Sequence, residues 1–339
     1  VLNIDVTPFG PEHAALAVEL AARAFTVVAA DARPRDSAVF LGHIHGASNP
    51  SGRAWIAIAR EEGRAVASVA AVPARFRTRA GKIVIGFQIG TFVVDPALQR
   101  QGLGTRILAE LTRVLKELPD TFIYAYPNPR SQAVLDRSGY RRVAEIPTVI
   151  YLPRWRSLSA KRTRQLEDAG RATWDLAFPR GSEMEAALRA IGDLEVQPAG
   201  FIRDRSYFTW RFLGPECAER YDFVVCSARS TQRAFVLALA RHQFKSLRFT
   251  ILVDAFPNVF STHHALAIRA AEVAARRSGA WFVYLNTSAT SQVGTPWSVR
   301  LPADRNPRPV QLMLYPENSA IAPADLAESL AMTADWNGF

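Results

Sequence analysis

The residues best suited to chemistry in this chain lie in "VVDPALQRQGLG", positions 93–104. An apolar run ends at Asp95-Pro96, and an Arg/Gln/Gly turn then leads into an amphipathic helical pattern. Glycine inside a helix costs about 1 kcal/mol relative to alanine, so Gly102 and Gly104 at a helix start ask for a reason. A helix N-terminus offers unpaired backbone N–H groups and the positive end of the macrodipole. Residues without side chains let an anion approach that backbone, and Arg100 adds a full positive charge. The chemistry such a turn suits is the cradling of a phosphate or pyrophosphate. The same glycines also suit an ordinary strand-to-helix connection, and their spacing alone does not separate the two readings.

The elements around the turn alternate helix and strand. Positions 11–25 open on Pro-Glu and keep a helical apolar spacing. The polar stretch 31–52, broken by Pro and Gly, reads as a loop around one short helix and carries His43 and His45. "RAWIAIAR" and "RAVASVAAVP" flank "EEG", a strand–turn–strand pattern. A strand over 82–94, containing Gln88, feeds the turn. A helix over 104–117, a strand over 121–126 that ends at Tyr126, a short helix at "SQAVLDRS" and closing strands through "YRRVAEIPTVIYL" follow. The second half predicts strands at 221–228, 233–241 and 247–256, a helix over 262–278 and a strand over 281–285.

Length and composition narrow the field. A chain of 339 residues with 49% hydrophobic residues is long for one domain and ample for packed cores. No apolar run is long enough to span a bilayer, and the first residues lack a basic segment followed by an apolar one, so a cytoplasmic protein without a membrane partner is expected. Cys217 and Cys226 are then expected as reduced thiols. They have no nearby histidine pair, and the adjacent His263 and His264 point apart on a helix, so no metal site is expected. The net charge is +10, but all but four of the 41 basic residues are arginines, and apart from 154–164 they are spread out. That pattern fits GC-rich coding and a solvated face or an acidic small-molecule partner better than nucleic-acid binding.

The residues around the turn carry a resemblance. Gln99-x-x-Gly102-x-Gly104, preceded by Val94-Asp95-Pro96, is similar to the core motif of the GNAT superfamily of acyl-CoA-dependent N-acyltransferases. The strand at 121–126, Asn128 and the short helix running to Gly139-Tyr140 follow in that superfamily's order, so the resemblance covers residues 3–152. The turn lacks the Gly-Lys-Ser/Thr of a P-loop and the downstream acidic residue of a dinucleotide fingerprint.

The resemblance implies an α/β (α+β mixed) fold with a mostly antiparallel, splayed sheet flanked by helices. It implies acetyl-CoA, or another acyl-CoA, as co-substrate, and no metal. Backbone groups of Phe92, Val93 and Val94 would pair with the pantetheine arm, and Asn128 would contact it. Arg100, Gln101, Gly102, Leu103, Gly104 and Thr105 would hold the pyrophosphate. A neutral amine would attack the thioester directly, with a backbone N–H near Val93 stabilising the oxyanion. This chain departs from the pattern at Leu135, where many members carry a tyrosine, and at Gln88, where a glutamate base often lies. Tyr126 and Tyr140 are the nearest replacements, with His43 or His45 able to reach in; Tyr126 is the chosen catalytic candidate.

In the second half, Tyr207-x-x-Trp210-Arg211 resembles an element of tandem acyltransferase-like proteins. The expected organisation is therefore two GNAT-like domains, 1–155 and 181–339, joined by a connecting segment over 156–180. The second copy is expected to be degenerate, because its turn "NVFSTHH" carries neither glycine nor arginine. Trp210-Arg211 either selects the amine or is a buried tryptophan beside an arginine salt bridge. The expected function is acyl transfer to the amine of a small molecule. The alternatives are a Fem-type aminoacyl transferase using charged tRNA and an acyl-CoA-binding protein without catalysis.

Overall fold

The computed structural model describes residues 2–24, 34–146, 148–151, 165–167, 173–191, 199–214, 217, 220–230, 233–244, 246–256, 264–286, 298–300, 310–317 and 319–328. It forms two compact units. The first holds Val1–Glu145, Pro198–Ile202 and Val310–Ala327; the second holds Ile146–Gln197, Arg203–Pro309 and Glu328–Phe339.

In the first unit the chain runs β1 (Leu2–Pro8), α1 (Pro11–Ala24), α2 (Pro34–His45), β2 (Trp55–Glu61), β3 (Arg64–Arg77), β4 (Ile83–Val94), α3 (Leu103–Leu115), β5 (Thr121–Ala125), α4 (Pro129–Arg137) and β6 (Arg141–Ile146). Strands β1 to β4 form an antiparallel meander, and β5 joins β4 in parallel after the α3 crossover. The reason lies in the side-chain periods. Leu103, Ile107, Leu111 and Leu115 recur on one stripe of α3, and Phe87, Ile89, Ile123 and Ala125 alternate onto the sheet face that meets it. Each such buried Leu or Ile stabilises the fold by about 1.5–3 kcal/mol. The opposite face of β4 and β5 carries Gln88, Phe122 and Tyr124, packed with Phe76 and Phe201.

The stretch 31–52 holds more structure than its polarity predicts. Helix α2 is twelve residues long, because Phe40, Leu41 and Ile44 form a buried helical stripe.

The second unit is also built on a mixed sheet. Its strand order is Ser298–Arg300, Thr148–Tyr151, Val283–Asn286, Leu247–Phe256, Ala234–Phe244, Tyr221–Ala228, Thr173–Ala177 and Gln165–Glu167. Helix His264–Arg277 links Leu247–Phe256 to the parallel Val283–Asn286, and its Leu266, Ala270, Val273 and Ala274 pack on one sheet face. The division into units is interleaved rather than sequential. Strand Val310–Tyr315 pairs antiparallel with β5 in the first sheet, and Thr148–Tyr151 pairs with Val283–Asn286 in the second. Strands Gln165–Glu167 and Thr173–Ala177 fall inside the expected connecting segment 156–180 and pair with each other in the second sheet. Sheet pairing between segments so distant in sequence leaves no local mark, which is why a contiguous boundary at 155 was the natural expectation. Among the described residues no helix is long and apolar enough to cross a membrane.

Candidate functional site

The first unit's sheet opens at one place. The ladder between β4 and β5 runs from Ile85↔Thr121 to Ile89↔Ala125 and stops, while β4 continues to Val94. From Gly90 onward that edge of β4 has left β5, and backbone groups of a buried strand need partners. On its other edge β4 stays with β3, but Ser68 pairs with Val93 and Ala70 with Gly90. Thr91 and Phe92 therefore oppose Val69 alone, a β-bulge. Thr91 sits at φ +49°, a left-handed conformation that β-branched residues rarely adopt. Phe92 turns back to α3, where a Cβ on Gly104 would lie 3.2 Å from its Cζ. Part of the requirement for glycine at 104 is thus internal packing.

The turn after β4 is held by its own side chains. Asp95 accepts a hydrogen bond from the Ala97 N–H at 3.1 Å and meets Arg64 Nη2 at 3.3 Å. Gln99 Nε2 donates to the Val94 carbonyl at 3.1 Å, and Gln101 Nε2 donates to the Ala97 carbonyl at 3.0 Å. Arg100 at φ +64° and Gly102 at φ +80° bracket Gln101 in left-handed conformations, a backbone alternation that forms anion-binding concavities. Gly102 is the N-cap of α3 and supplies no side-chain cap, and the first turn holds no acidic residue. A Cβ on Gly102 would meet nothing within 4 Å, so its backbone angle demands glycine and the space beside it is open. Leu103 is buried in the core, which leaves its backbone for a ligand; Thr105 is half-buried. An uncapped, acid-free helix start beside an exposed arginine is electrostatically suited to a phosphate-like anion.

Asn128 begins α4. Its Oδ1 accepts from the N–H groups of Arg130 and Ser131, both at 2.9 Å, and Ser131 Oγ returns an acceptor to the Asn128 N–H at 3.1 Å. This capping box fixes the residue through its Oδ1 and backbone N–H. Tyr126 is half-buried just past the end of β5, its ring edge-on to Tyr124 at 5.7 Å.

The other expected candidates fall into two groups. Leu135 and Tyr140 belong to the α3 core, and the Tyr140 hydroxyl lies 3.0 Å from Thr112 Oγ1. Burial pushes the Tyr140 phenol well up from its ordinary range, so it is a packing residue. Gln88 is buried and accepts from the Tyr124 hydroxyl at 3.3 Å, a neutral pairing in which it removes no proton. His43 is half-buried on α2. His45 is buried at the end of α2, its Nε2 3.2 Å from Thr91 Oγ1. That contact links positions far apart in sequence, and no local pattern announces it.

The second unit bends at a comparable place. Ala238 pairs with Asp254 and Leu239 with Leu252, so Val253 is the extra residue of a bulge in Leu247–Phe256. Asp254 is buried there, 3.1 Å from Arg203 Nε, with the Tyr207 hydroxyl donating to it at 3.4 Å. Burial pushes its carboxyl up, and the Arg203 guanidinium opposes that shift. Trp210 and Arg211 are both buried on helix Arg205–Leu213, and Arg211 lies 5.6 Å from the Phe212 ring centre. This agrees with the packing reading of the pair. Cys217 and Cys226 are buried free thiols. The turn 257–263 lies outside the described residues, so the expected loss of a second anion cradle there is not observed directly.

Residues 16–140 match the family model of the Acetyltransferase (GNAT) family. This segment is a GNAT-family domain. It begins within α1, ends just before β6, and includes the part of β4 released from β5 and the turn that follows it. No curated protein matches the sequence. Among solved structures, the chain is similar to a conserved protein of unknown function, probable N-acyltransferase, from Enterococcus faecalis V583, with 13% identity, TM-score 0.60, and 92% of this chain and 72% of that one covered. It is also similar to a GCN5-related N-acetyltransferase from Anabaena variabilis ATCC 29413, with 12% identity, TM-score 0.57 and the same coverage. Saccharomyces cerevisiae N-myristoyltransferase with bound myristoyl-CoA matches at 11% identity and TM-score 0.52, covering 92% of this chain and 82% of that one. At these identities the likeness establishes the fold, and the GNAT domain rests on the family match.

Proposed function

We propose that this protein is an acyl-CoA-dependent N-acyltransferase that moves an acetyl group to the amine of a small molecule. The observation that carries the reading is the release of β4 from β5 after Ile89, directly before the uncapped start of α3. A ligand with an extended amide-bearing arm and a pyrophosphate fits both features at once. Backbone groups of Phe92, Val93 and Val94 would pair with the arm, and Asn128 Nδ2 would donate to it. The N–H groups of residues 101–105 and the Arg100 guanidinium would hold the pyrophosphate. The Val93 N–H would stabilise the negative charge that develops on the acyl oxygen. Tyr126 would protonate the departing sulfur. The bound acyl-CoA supplies an activated acyl group, so no covalent enzyme intermediate is required. The second unit is proposed as a related fold without a cofactor of its own, and the free thiols support a reducing, cytoplasmic setting.

The test is a purified-protein assay for free CoA release over a broad panel of amines with acetyl-CoA. Native mass spectrometry would identify any CoA species that co-purifies. CoA release with at least one amine, above hydrolysis, is expected. Protein that neither binds an acyl-CoA nor releases CoA contradicts the reading.

A further inference from the structure

Three of the residues considered above are unsuited to take the amine's proton: Gln88 is a neutral amide paired with Tyr124, and Leu135 and Tyr140 belong to the core. The bulge in β4 holds a polar pair suited to that task. Alternation from Phe87 and Ile89 would aim residue 91 at α3, but Phe92 takes that place. The left-handed backbone at Thr91 instead carries its hydroxyl to His45, at 3.2 Å from Nε2. A β-branched residue at φ +49° is strained, and strain of this kind is kept where the surroundings or the function demand it. Glycine or asparagine would hold the same backbone more easily.

The partners of His45 fix its proton. Nδ1 lies 3.1 Å from the Leu41 carbonyl, which can only accept, so Nδ1 carries a hydrogen. In the neutral ring Nε2 then holds a lone pair, and the Thr91 hydroxyl donates to it. The Phe9 ring packs on the imidazole at 4.8 Å between centres and holds its plane. Thr91 is itself only half-buried, two residues before Val93 and so at most about 7 Å from it along the strand.

We propose that the Thr91 hydroxyl is the group that takes the proton from the attacking amine, with His45 as the positioning residue and proton sink behind it. This rests on the acyltransferase reading above. As the amine nitrogen bonds to the acyl carbon, its surplus proton passes to Thr91 Oγ1, while the Thr91 hydroxyl proton passes to His45 Nε2. The carbon–sulfur bond breaks and the departing sulfur takes the Tyr126 phenol proton, as proposed above. His45 is left as an imidazolium that donates from both nitrogens, to the Leu41 carbonyl and back to Thr91. Its extra proton then returns through Thr91 to the Tyr126 phenolate, directly or by way of water, which restores the starting state.

The test uses the full chain and an amine that the wild-type protein acetylates. Thr91→Val keeps shape and branching but removes the relay; kcat is expected to fall about a hundredfold, the scale of general base catalysis, with the KM for acetyl-CoA within twofold of wild type. Thr91→Ser restores the hydroxyl and is expected to recover most of kcat. Thr91→Asn relieves the backbone, so Tm holds or rises while kcat falls. Nitrogen-15 NMR of His45 in the resting protein, which needs no variant, is expected to show the Nδ1–H tautomer. Thr91→Val turning over within threefold of wild type, or an Nε2–H tautomer at His45, overturns the proposal and leaves the acyltransferase reading standing. Wild-type protein that releases no CoA with any amine overturns that reading, and the relay with it.

Discussion

Strands β4 and Leu247–Phe256 are built alike up to the point where each bends. Each pairs antiparallel with the strand before it and parallel with the strand that follows a crossover helix, and each carries a bulge near its C-terminal end. They part in what occupies the bend. In β4 the bulge holds a strained Thr91, followed by a turn with glycine at the helix start and a side that borders open space. In the second strand the extra residue is Val253, and the carboxylate of Asp254 beside it is consumed by Arg203, Tyr207 and the Ala255 N–H. A bulge frees backbone and side-chain groups from the ladder. In one unit those groups are proposed to meet a ligand, and in the other Asp254 is satisfied from within the protein.

The largest effect expected from this contrast is on stability. Asp254→Ala leaves Arg203 buried without its carboxylate, and breaking a buried pair from one side typically costs about 3–5 kcal/mol. Chemical denaturation should show that loss, while the affinity of the remaining folded protein for acetyl-CoA stays unchanged. Wild-type stability in this variant would mean that the second bulge is not held by the pair.

Gly102→Val attacks the other bulged strand's turn. A side chain at φ +80° costs about 1–2 kcal/mol of stability. The valine also fills the open space at the cradle. Losing two charge-assisted hydrogen bonds to the pyrophosphate, at about 1.5–3 kcal/mol each, lowers affinity about a hundredfold or more. Calorimetry with acetyl-CoA on both proteins measures it, and equal affinities would remove the pyrophosphate from this turn.

Tyr126→Phe should be milder. A thiolate leaves near neutral pH with little help, so kcat is expected to fall only about tenfold, below the usual range of general acid catalysis. An unchanged KM for acetyl-CoA would place the effect in the transition state; a rate equal to wild type would make Tyr126 a packing residue. The smallest effect is expected from Tyr140→Phe. It removes the buried hydrogen bond to Thr112 and costs about 1 kcal/mol, read as a modest fall in Tm with unchanged kinetics.

The backbone of the turn after β4 was legible in the sequence because glycine and proline report backbone angles directly: Gly102 does sit at positive φ, and Asp95-Pro96 does open a short turn. The strands and crossover helix of both halves were legible from their apolar periods. What stayed hidden was set by distant partners. The strand Val310–Tyr315 was not anticipated, and nothing local says that it joins β5. Helix α2 was expected only as a short helix within a loop, because its polar residues outnumber the few that pack. The Thr91–His45 contact was invisible for a further reason: threonine is an ordinary strand residue, and only the register around Val69 reveals the bulge that turns it. Gly104 was read as clearance for a ligand, and the Phe92 ring accounts for part of it.

The central claim is that one bulged strand serves a cofactor and the other does not. Isothermal titration of the full-length chain with acetyl-CoA tests it most directly, run in parallel on Gly102→Val. The account predicts one site per wild-type chain and none of comparable affinity in the variant. Two sites per chain, or a single site that survives Gly102→Val undiminished, would contradict it.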